Sequence, residues 1–230
     1  MSGAPALKEV AAVLFDLDGT LADTAPDLAY AVNQQRRMRH QPALPVSALR
    51  PHVSSGARGM LMAGLGLTPQ DADYAAVREE FLQIYAGNLC RETRLFDGMH
   101  EVLIRLESHA IAWGIVTNKP SAYTLPLLEA LGLGQRAACV ICGDTTAHAK
   151  PHPAPLLEAC ARISVEPGRC TYVGDDERDV QAGVAAGMVP IVALYGYLGE
   201  QKPPQEWGAG LYISAPLDLL NLLGTPLSMG

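Results

Sequence analysis

Short, mainly apolar runs recur along the chain at residues 10–15, 111–116, 138–142, 170–173 and 189–194. Each stops at polar or glycine residues, the pattern of a strand buried on both faces. Between them, at 99–107, 123–131, 154–163 and 179–186, apolar positions repeat at helical spacing. Strands that alternate with helices predict βαβ units, and so an α/β fold built on a doubly wound parallel sheet.

Residues 25–93 break this rhythm and read as helix only. Tyr74, Val77, Phe81, Ile84 and Tyr85 fall on one apolar stripe, and Pro42, Pro45 and Pro51 punctuate the stretch. It lies between the first and second predicted strands, so it is an insertion at the carboxyl edge of the sheet, where open α/β sheets bind ligands. The chain is therefore expected to form an α/β core from residues 1–24 and 94–230, with a helical cap domain at 25–93.

Composition narrows the function classes. The 230 residues are 49% hydrophobic and 18% charged, enough for a substantial core. A net charge of -7 speaks against nucleic acid or an anionic membrane surface as partner. No run is long enough to span a bilayer. Acidic residues interrupt the first apolar run, which predicts no secretory signal. Five cysteines, an odd number, fit reduced thiols and a cytoplasmic chain. Cys139 and Cys142 read as small core residues rather than half a zinc site.

Candidate chemistry sits where the strands end. Asp16 and Asp18 in Asp16-Leu17-Asp18-Gly19-Thr20 are two apart on a strand, so their carboxylates share a face. Converging carboxylates repel, and a divalent metal is one remedy; an exposed strand end that merely alternates acid and apolar is the other reading. Thr117 and Asn118 end the second strand, with a hydroxyl and an amide that suit an anionic oxygen, although Asn also favours simple turns. Lys150 follows the third strand; taken alone it reads as a surface lysine. Gly174-Asp175-Asp176 follows the fourth. Asp175 stands first at the sheet edge, while Asp176 and Asp179 also suit a helix start. Gly132-Leu133-Gly134 mimics a dinucleotide fingerprint but follows a helix, so glycine capping explains it.

Taken in order, a strand-end DxDGT, a strand-end Thr, Lys150-Pro151 and a strand-end Gly-Asp-Asp resemble the haloacid dehalogenase superfamily over nearly the whole chain. Val116-Thr117-Asn118-Lys119-Pro120 and Tyr195-Gly196-Tyr197 look like its phosphoglycolate phosphatase branch. Phe96-Asp97-Gly98-Met99, Trp113-Gly114 and Trp207-Gly208-Ala209 look like a related bacterial branch that dephosphorylates N-acetylmuramic acid 6-phosphate. One departure is Asp176, where the phosphoglycolate branch usually has serine.

The resemblance implies a Rossmann-like core with a helical cap, and a Mg²⁺-dependent phosphatase acting on a small-molecule phosphate monoester through an aspartyl-phosphate. It implies Asp16 as nucleophile and Asp18 as the acid and base. The metal would be held by Asp16, Asp175 and the backbone carbonyl of Asp18. Thr117, Asn118 and Lys150 would hold the phosphate oxygens, and Thr20 joins the substrate-binding set. Phosphoglycolate is the first expected substrate and N-acetylmuramic acid 6-phosphate the alternative. Both carry a carboxylate, for which Arg58 in the cap is the expected anchor, since a guanidinium grips a carboxylate bidentately; a surface arginine at a helix start is the competing reading. A sugar phosphomutase shares the Asp16 and Asp18 chemistry. A receiver-type signalling domain needs about half this length and no insertion. Asp18 and Thr20 argue against a dehalogenase, which has no leaving alkoxide to protonate.

Overall fold

The computed structural model describes residues 10–199 and 202–224, so the outer limits of the expected core, residues 1 and 230, lie outside the described residues. The chain runs β1 (Ala12–Phe15), β2 (Ala22–Asp23), α1 (Ala25–Met38), α2 (Val46–Leu49), α3 (Gly56–Leu65), α4 (Tyr74–Ala86), β3 (Arg94–Leu95) and α5 (Met99–Ser108). It continues through β4 (Ala112–Val116), α6 (Ser121–Ala130), β5 (Cys139–Ile141), α7 (Ala154–Ile163) and β6 (Cys170–Gly174). The last elements are α8 (Glu177–Ala185), β7 (Val189–Ala193), β8 (Leu211–Ile213) and α9 (Asp218–Leu222).

Six strands form one parallel sheet in the order β5-β4-β1-β6-β7-β8. β1 shows why its strands read as continuous apolar runs. Val13 and Phe15 join one buried cluster with Leu103, Leu106 and Trp113. Ala12 and Leu14 face the other way, into a cluster with Leu156, Tyr172 and Ala182. Residues two apart share a face, so both sets must be apolar. Burying one such Leu or Phe side chain stabilises by about 1.5–3 kcal/mol.

From the central β1 the chain builds outward through β4 to β5, then crosses to the other side for β6, β7 and β8. The direction reverses beside β1, which opens a crevice at the carboxyl ends of β1, β4 and β6. Above it sit α1 to α4, packed on their own cluster of Leu28, Val32, Leu61, Phe81 and Tyr85. The helical stretch leaves and rejoins the sheet layer through a short antiparallel ladder, Ala22 opposite Leu95 and Asp23 opposite Arg94.

This ladder, β8 and α9 have no counterpart in the sequence pattern. β2 and β3 are two residues each and β8 is three, too short for any period to show. α8 begins two residues before the apolar pattern because Asp176 and Asp179 form a capping box there.

Asp27, one turn into α1, ties the two connections together. Its buried carboxylate accepts hydrogen bonds from Glu92 N (3.1 Å), Thr93 N (3.0 Å) and Thr93 Oγ1 (2.8 Å). Asp27→Ala strips the buried Thr93 N–H and hydroxyl, and the part-buried Glu92 N–H, of their acceptor. We expect a loss of about 2–4 kcal/mol in urea unfolding, from the penalty for unmet buried donors; a loss below about 1 kcal/mol would show the clasp to be dispensable.

Candidate active site

Asp16 follows β1, Thr117 follows β4 and Asp175 follows β6, so the three strand ends present their first polar side chains to one crevice. Asp179, one turn into α8, faces the same point. One carboxylate oxygen from each of Asp16, Asp175 and Asp179 lies within 4.8 Å of the others. Lys150 enters from the loop before α7. Its Nζ is 2.9 Å from Asp16 Oδ1 and 2.7 Å from Asp179 Oδ1, and it donates to Val116 O (3.1 Å) and Tyr172 Oη (2.7 Å).

The electrostatics follow from burial. Loss of water pushes Asp16 from 3.8 up to about 7, with Lys150 opposing and Asp179 adding to the rise. Asp175 is raised well above the usual carboxylate range by burial and then by the charges of Asp16 and Asp179. Burial alone would lower Lys150, but Asp16 and Asp179 outweigh it and hold the ammonium at about 12. Asp16 Oδ1 is at ion-pair distance from Lys150 yet has no partner of hydrogen-bond geometry. Converging buried carboxylates with a surplus of negative charge and an all-oxygen donor set fit a hard divalent cation.

Local backbone fixes Asp175. Its Oδ1 accepts from Thr20 Oγ1 (3.1 Å) and its Oδ2 from Tyr197 N (2.7 Å). Thr20 is thereby buried behind Asp175. Gly19 holds a φ of +87°, and a Cβ there would come within 2.2 Å of Asp175 Oδ2. The turn after Asp18 thus needs glycine for both conformation and space.

Asp18 belongs to a different set of contacts. Lys119 Nζ lies 2.9 Å from Asp18 Oδ1 and 4.7 Å from the centroid of the Tyr85 ring in the cap. Thr24 Oγ1 donates to Asp18 Oδ1 at 2.6 Å. Thr24 N and Ala25 N in turn donate to Tyr197 Oη, which caps the start of α1. Asn118 spends its amide on the Lys150 backbone, donating to Lys150 O (3.0 Å) and accepting from Lys150 N (2.9 Å). Thr117 Oγ1 accepts from Lys119 N at 3.2 Å.

Asp176 does not leave a bare charge beside the cluster. Arg178 donates to it through Nε (2.8 Å) and Nη2 (2.9 Å), and Nη2 also donates to Ser54 O of the cap at 2.6 Å. Burial pushes Asp176 up, but Arg178 more than offsets this and holds it below the usual carboxylate range.

A cavity of about 230 Å³ separates these groups from the cap, with Asp16, Asp18, Thr117, Asn118, Lys119 and Lys150 among its lining. Arg58 is not brought there. It lines an adjoining hollow with Gln181 and Trp207, which shares Ser54, Ser55, Asp176 and Arg178 with the cavity, whereas Arg78 of α4 lines the cavity itself. Lys119, Tyr85, Arg178 and Arg78 carry no role in the sequence reading. For Lys119 the signal existed: it stands inside the strand-end Thr117-Asn118-Lys119-Pro120 segment. Tyr85 was legible only as one position of an apolar stripe.

A doubly wound sheet with strand-end carboxylates, a buried lysine and a helical insertion above them defines a capped α/β hydrolase. The haloacid dehalogenase-like hydrolase family matches residues 13–193, and the chain belongs to that family. It is 46% identical to a phosphoglycolate phosphatase of Xanthomonas campestris pv. campestris, over 90% of this chain and 94% of that one. It is 38% identical to an N-acetylmuramic acid 6-phosphate phosphatase of Pseudomonas putida, over 94% and 97%. A crystal structure described as a predicted phosphoglycolate phosphatase of Haemophilus somnus superposes with a TM-score of 0.82 at 25% identity, covering 94% of this chain and 99% of that one. Among the described residues, no helix is long and apolar enough to cross a membrane.

Gly19→Ala tests the packing of the turn against Asp175. A methyl group there must displace the carboxylate or the turn, and a shift of about 1 Å at a reacting centre costs on the order of 100-fold in rate. We expect that loss in turnover with the circular dichroism spectrum retained; wild-type turnover would show that the turn tolerates a side chain.

Proposed function

We propose that this hydrolase is a Mg²⁺-dependent phosphatase that cleaves a small, carboxylate-bearing phosphate monoester through an aspartyl-phosphate on Asp16. The observation that supports this reading is the Asp16 carboxylate at the sheet edge, beside the Lys150 ammonium and converging with the acidic pair Asp175 and Asp179. Asp16 and Asp175, with the Asp18 carbonyl implied by the family resemblance, hold the metal, and Asp179 extends the acidic wall. Bound there, Mg²⁺ offsets the repulsion between the attacking carboxylate and the phosphate dianion.

An Asp16 oxygen attacks phosphorus as the ester P–O bond breaks, and Asp18 gives its proton to the departing alkoxide. Asp18 then takes a proton from the water that attacks the aspartyl-phosphate, releasing phosphate and restoring Asp16. Lys150 and Thr117 steady the phosphate oxygens, while Asn118, expected from the sequence to do the same, has its amide engaged with the Lys150 backbone and holds that lysine's loop in place. Lys119 holds Asp18 in the free protein, and an incoming phosphate dianion competes for that ammonium. The relatives' names bracket the substrate class, from phosphoglycolate, the first compound to assay, to N-acetylmuramic acid 6-phosphate. Cys90, Cys139, Cys142, Cys160 and Cys170 are free thiols, and free thiols persist in a reducing compartment such as the cytoplasm.

Asp16→Asn is expected to abolish turnover with the fold intact, because an amide does not attack phosphorus; near-normal activity would sink the mechanism. Asp18→Asn is expected to lose about 100-fold or more on alkyl phosphates, the usual worth of general acid catalysis. It should lose less on p-nitrophenyl phosphate, whose leaving group needs no proton. Equal losses on both would take the acid role from Asp18.

EDTA is expected to abolish turnover and Mg²⁺ to restore it. The metal has a second readout. Asp16 is raised from 3.8 to about 7 in the folded chain, and Asp175 is also raised. The metal-free native state therefore binds more protons than the unfolded state, and stability falls as pH rises through that window. Mg²⁺ removes the penalty of the ionised acids, so its increment in Tm should be larger near pH 8 than near pH 5. An increment independent of pH, or none, would count against the site.

A further inference from the structure

We propose that Lys119 is a positioning residue for acid catalysis: it fixes the plane of the Asp18 carboxylate, and the Tyr85 ring seats it from the cap. The proposal rests on the phosphatase reading above and adds to it the residues that aim its acid.

Charge accounting assigns this ammonium to Asp18. The other lysine lining the cavity, Lys150, gives its Nζ to Asp16, Asp179, Tyr172 Oη and Val116 O. Arg178 is taken by Asp176 and the Ser54 carbonyl. Lys119, whose side chain is only 7% exposed, faces Asp18. An ammonium so far from water depends on its anion for solvation, so it stays at that carboxylate until another anion arrives.

Geometry separates its part from that of Thr24. Thr24 Oγ1 donates to Asp18 Oδ1 alone, at 2.6 Å. One such bond fixes an oxygen, but the carboxylate torsion is intrinsically broad and the group can still turn about that point. Lys119 Nζ lies 2.9 Å from Oδ1 and 3.2 Å from Oδ2, so it spans both oxygens. Together the two anchors set where the second oxygen points. Proton transfer to a leaving group demands that alignment.

The seat for the ammonium comes from the cap. Tyr85 of α4 is 2% exposed, and the centroid of its ring is 4.7 Å from Lys119 Nζ. The negative face of the ring attracts the cation, more strongly where water is excluded. Phe81 stacks beside Tyr85 on the same helix, with centroids 6.4 Å apart, and Tyr123 of α6 packs against Tyr85 at 5.9 Å. α6 begins directly after Pro120, so the helix that follows Lys119 carries the ring that braces its seat. A docked cap therefore completes the hold on the acid, and α4 contributes to the chemistry through Lys119 and Asp18.

The test uses phenyl phosphate and p-nitrophenyl phosphate, which share a ring but differ in the leaving group's need for a proton. The readout is the ratio of their kcat/KM values, which covers the step in which the leaving group departs. Any hold of the ammonium on phosphate itself affects both esters alike and cancels. Lys119→Met should lower the ratio of phenyl to p-nitrophenyl ester by about tenfold or more, from the worth of an aligned general acid, and Lys119→Arg should recover part of it. Tyr85→Leu should lower it in the same direction, while Tyr85→Phe, which keeps the ring, should not. In an Asp18→Asn background Lys119→Met should lower it no further, because a residue that acts through Asp18 has nothing left to aim. Equal losses on both esters, no loss, a further fall in that background, or a Tyr85→Phe fall as large as that of Tyr85→Leu would overturn the proposal while leaving the phosphatase reading intact. If Asp18→Asn itself leaves the ratio unchanged, the acid role falls and the proposal with it, whereas turnover surviving in Asp16→Asn would overturn the aspartyl-phosphate reading as well.

Discussion

The site depends on the burial of one ammonium among several carboxylates. Removing charges from water is expensive, and only close pairing with full hydrogen bonding makes it tolerable. Lys150 meets this demand with Asp16, Asp179, Tyr172 and the Val116 carbonyl all around its Nζ. The pairing is incomplete by design of the donor set. If all are ionised, the three clustered acids Asp16, Asp175 and Asp179 against one Lys150 leave two negative charges unmatched. The same imbalance that lifts Asp16 and Asp175 above their usual range is what a divalent cation would cancel. Stability and chemistry therefore draw on one balance of charge.

A second group of contacts carries that balance into the cap. Tyr197 links Asp175, through its backbone N–H, to the start of α1, through its hydroxyl. Thr24, at that helix start, holds Asp18, and Lys119 joins Asp18 to the Tyr85 ring. The two acids assigned to metal and to proton transfer are thus positioned by residues that also seat the cap. A displacement of the cap would disturb the acid and the cavity together.

Much of this was legible in the sequence because parallel strands are buried on both faces. That burial writes them as apolar runs, and the first polar residue after each run is placed at the sheet edge by topology alone. Asp16, Thr117 and Asp175 were found in that way. Other features escaped for equally physical reasons. The β2 and β3 ladder is held by side-chain clasps such as Asp27 rather than by any run of its own. Lys150 drew a role from the sequence and Lys119 drew none, yet Lys119 reaches Asp18 much as Lys150 reaches Asp16. Arg58 and Arg78 both sit on cap helices, and only the docking of α3 and α4 decides which of them lines the cavity.

Asp176 shows how a local departure is absorbed by its surroundings. An extra acid beside Asp175 should deepen the unfavourable charge of the cluster, and by sequence alone it looks like a perturbation of the metal site. In the fold its carboxylate turns to the start of α8, caps Arg178 N and takes the Arg178 guanidinium. That guanidinium then reaches the Ser54 carbonyl in the cap. The added negative charge is matched by an added positive one, and the pair becomes a strut between core and cap. A serine in this place could still cap the helix, but it would leave Arg178 without its anion beside the cavity. The acid at 176, the arginine at 178 and the position of the Ser54 loop are therefore one unit, although the Asp176 charge still adds to the rise of Asp175.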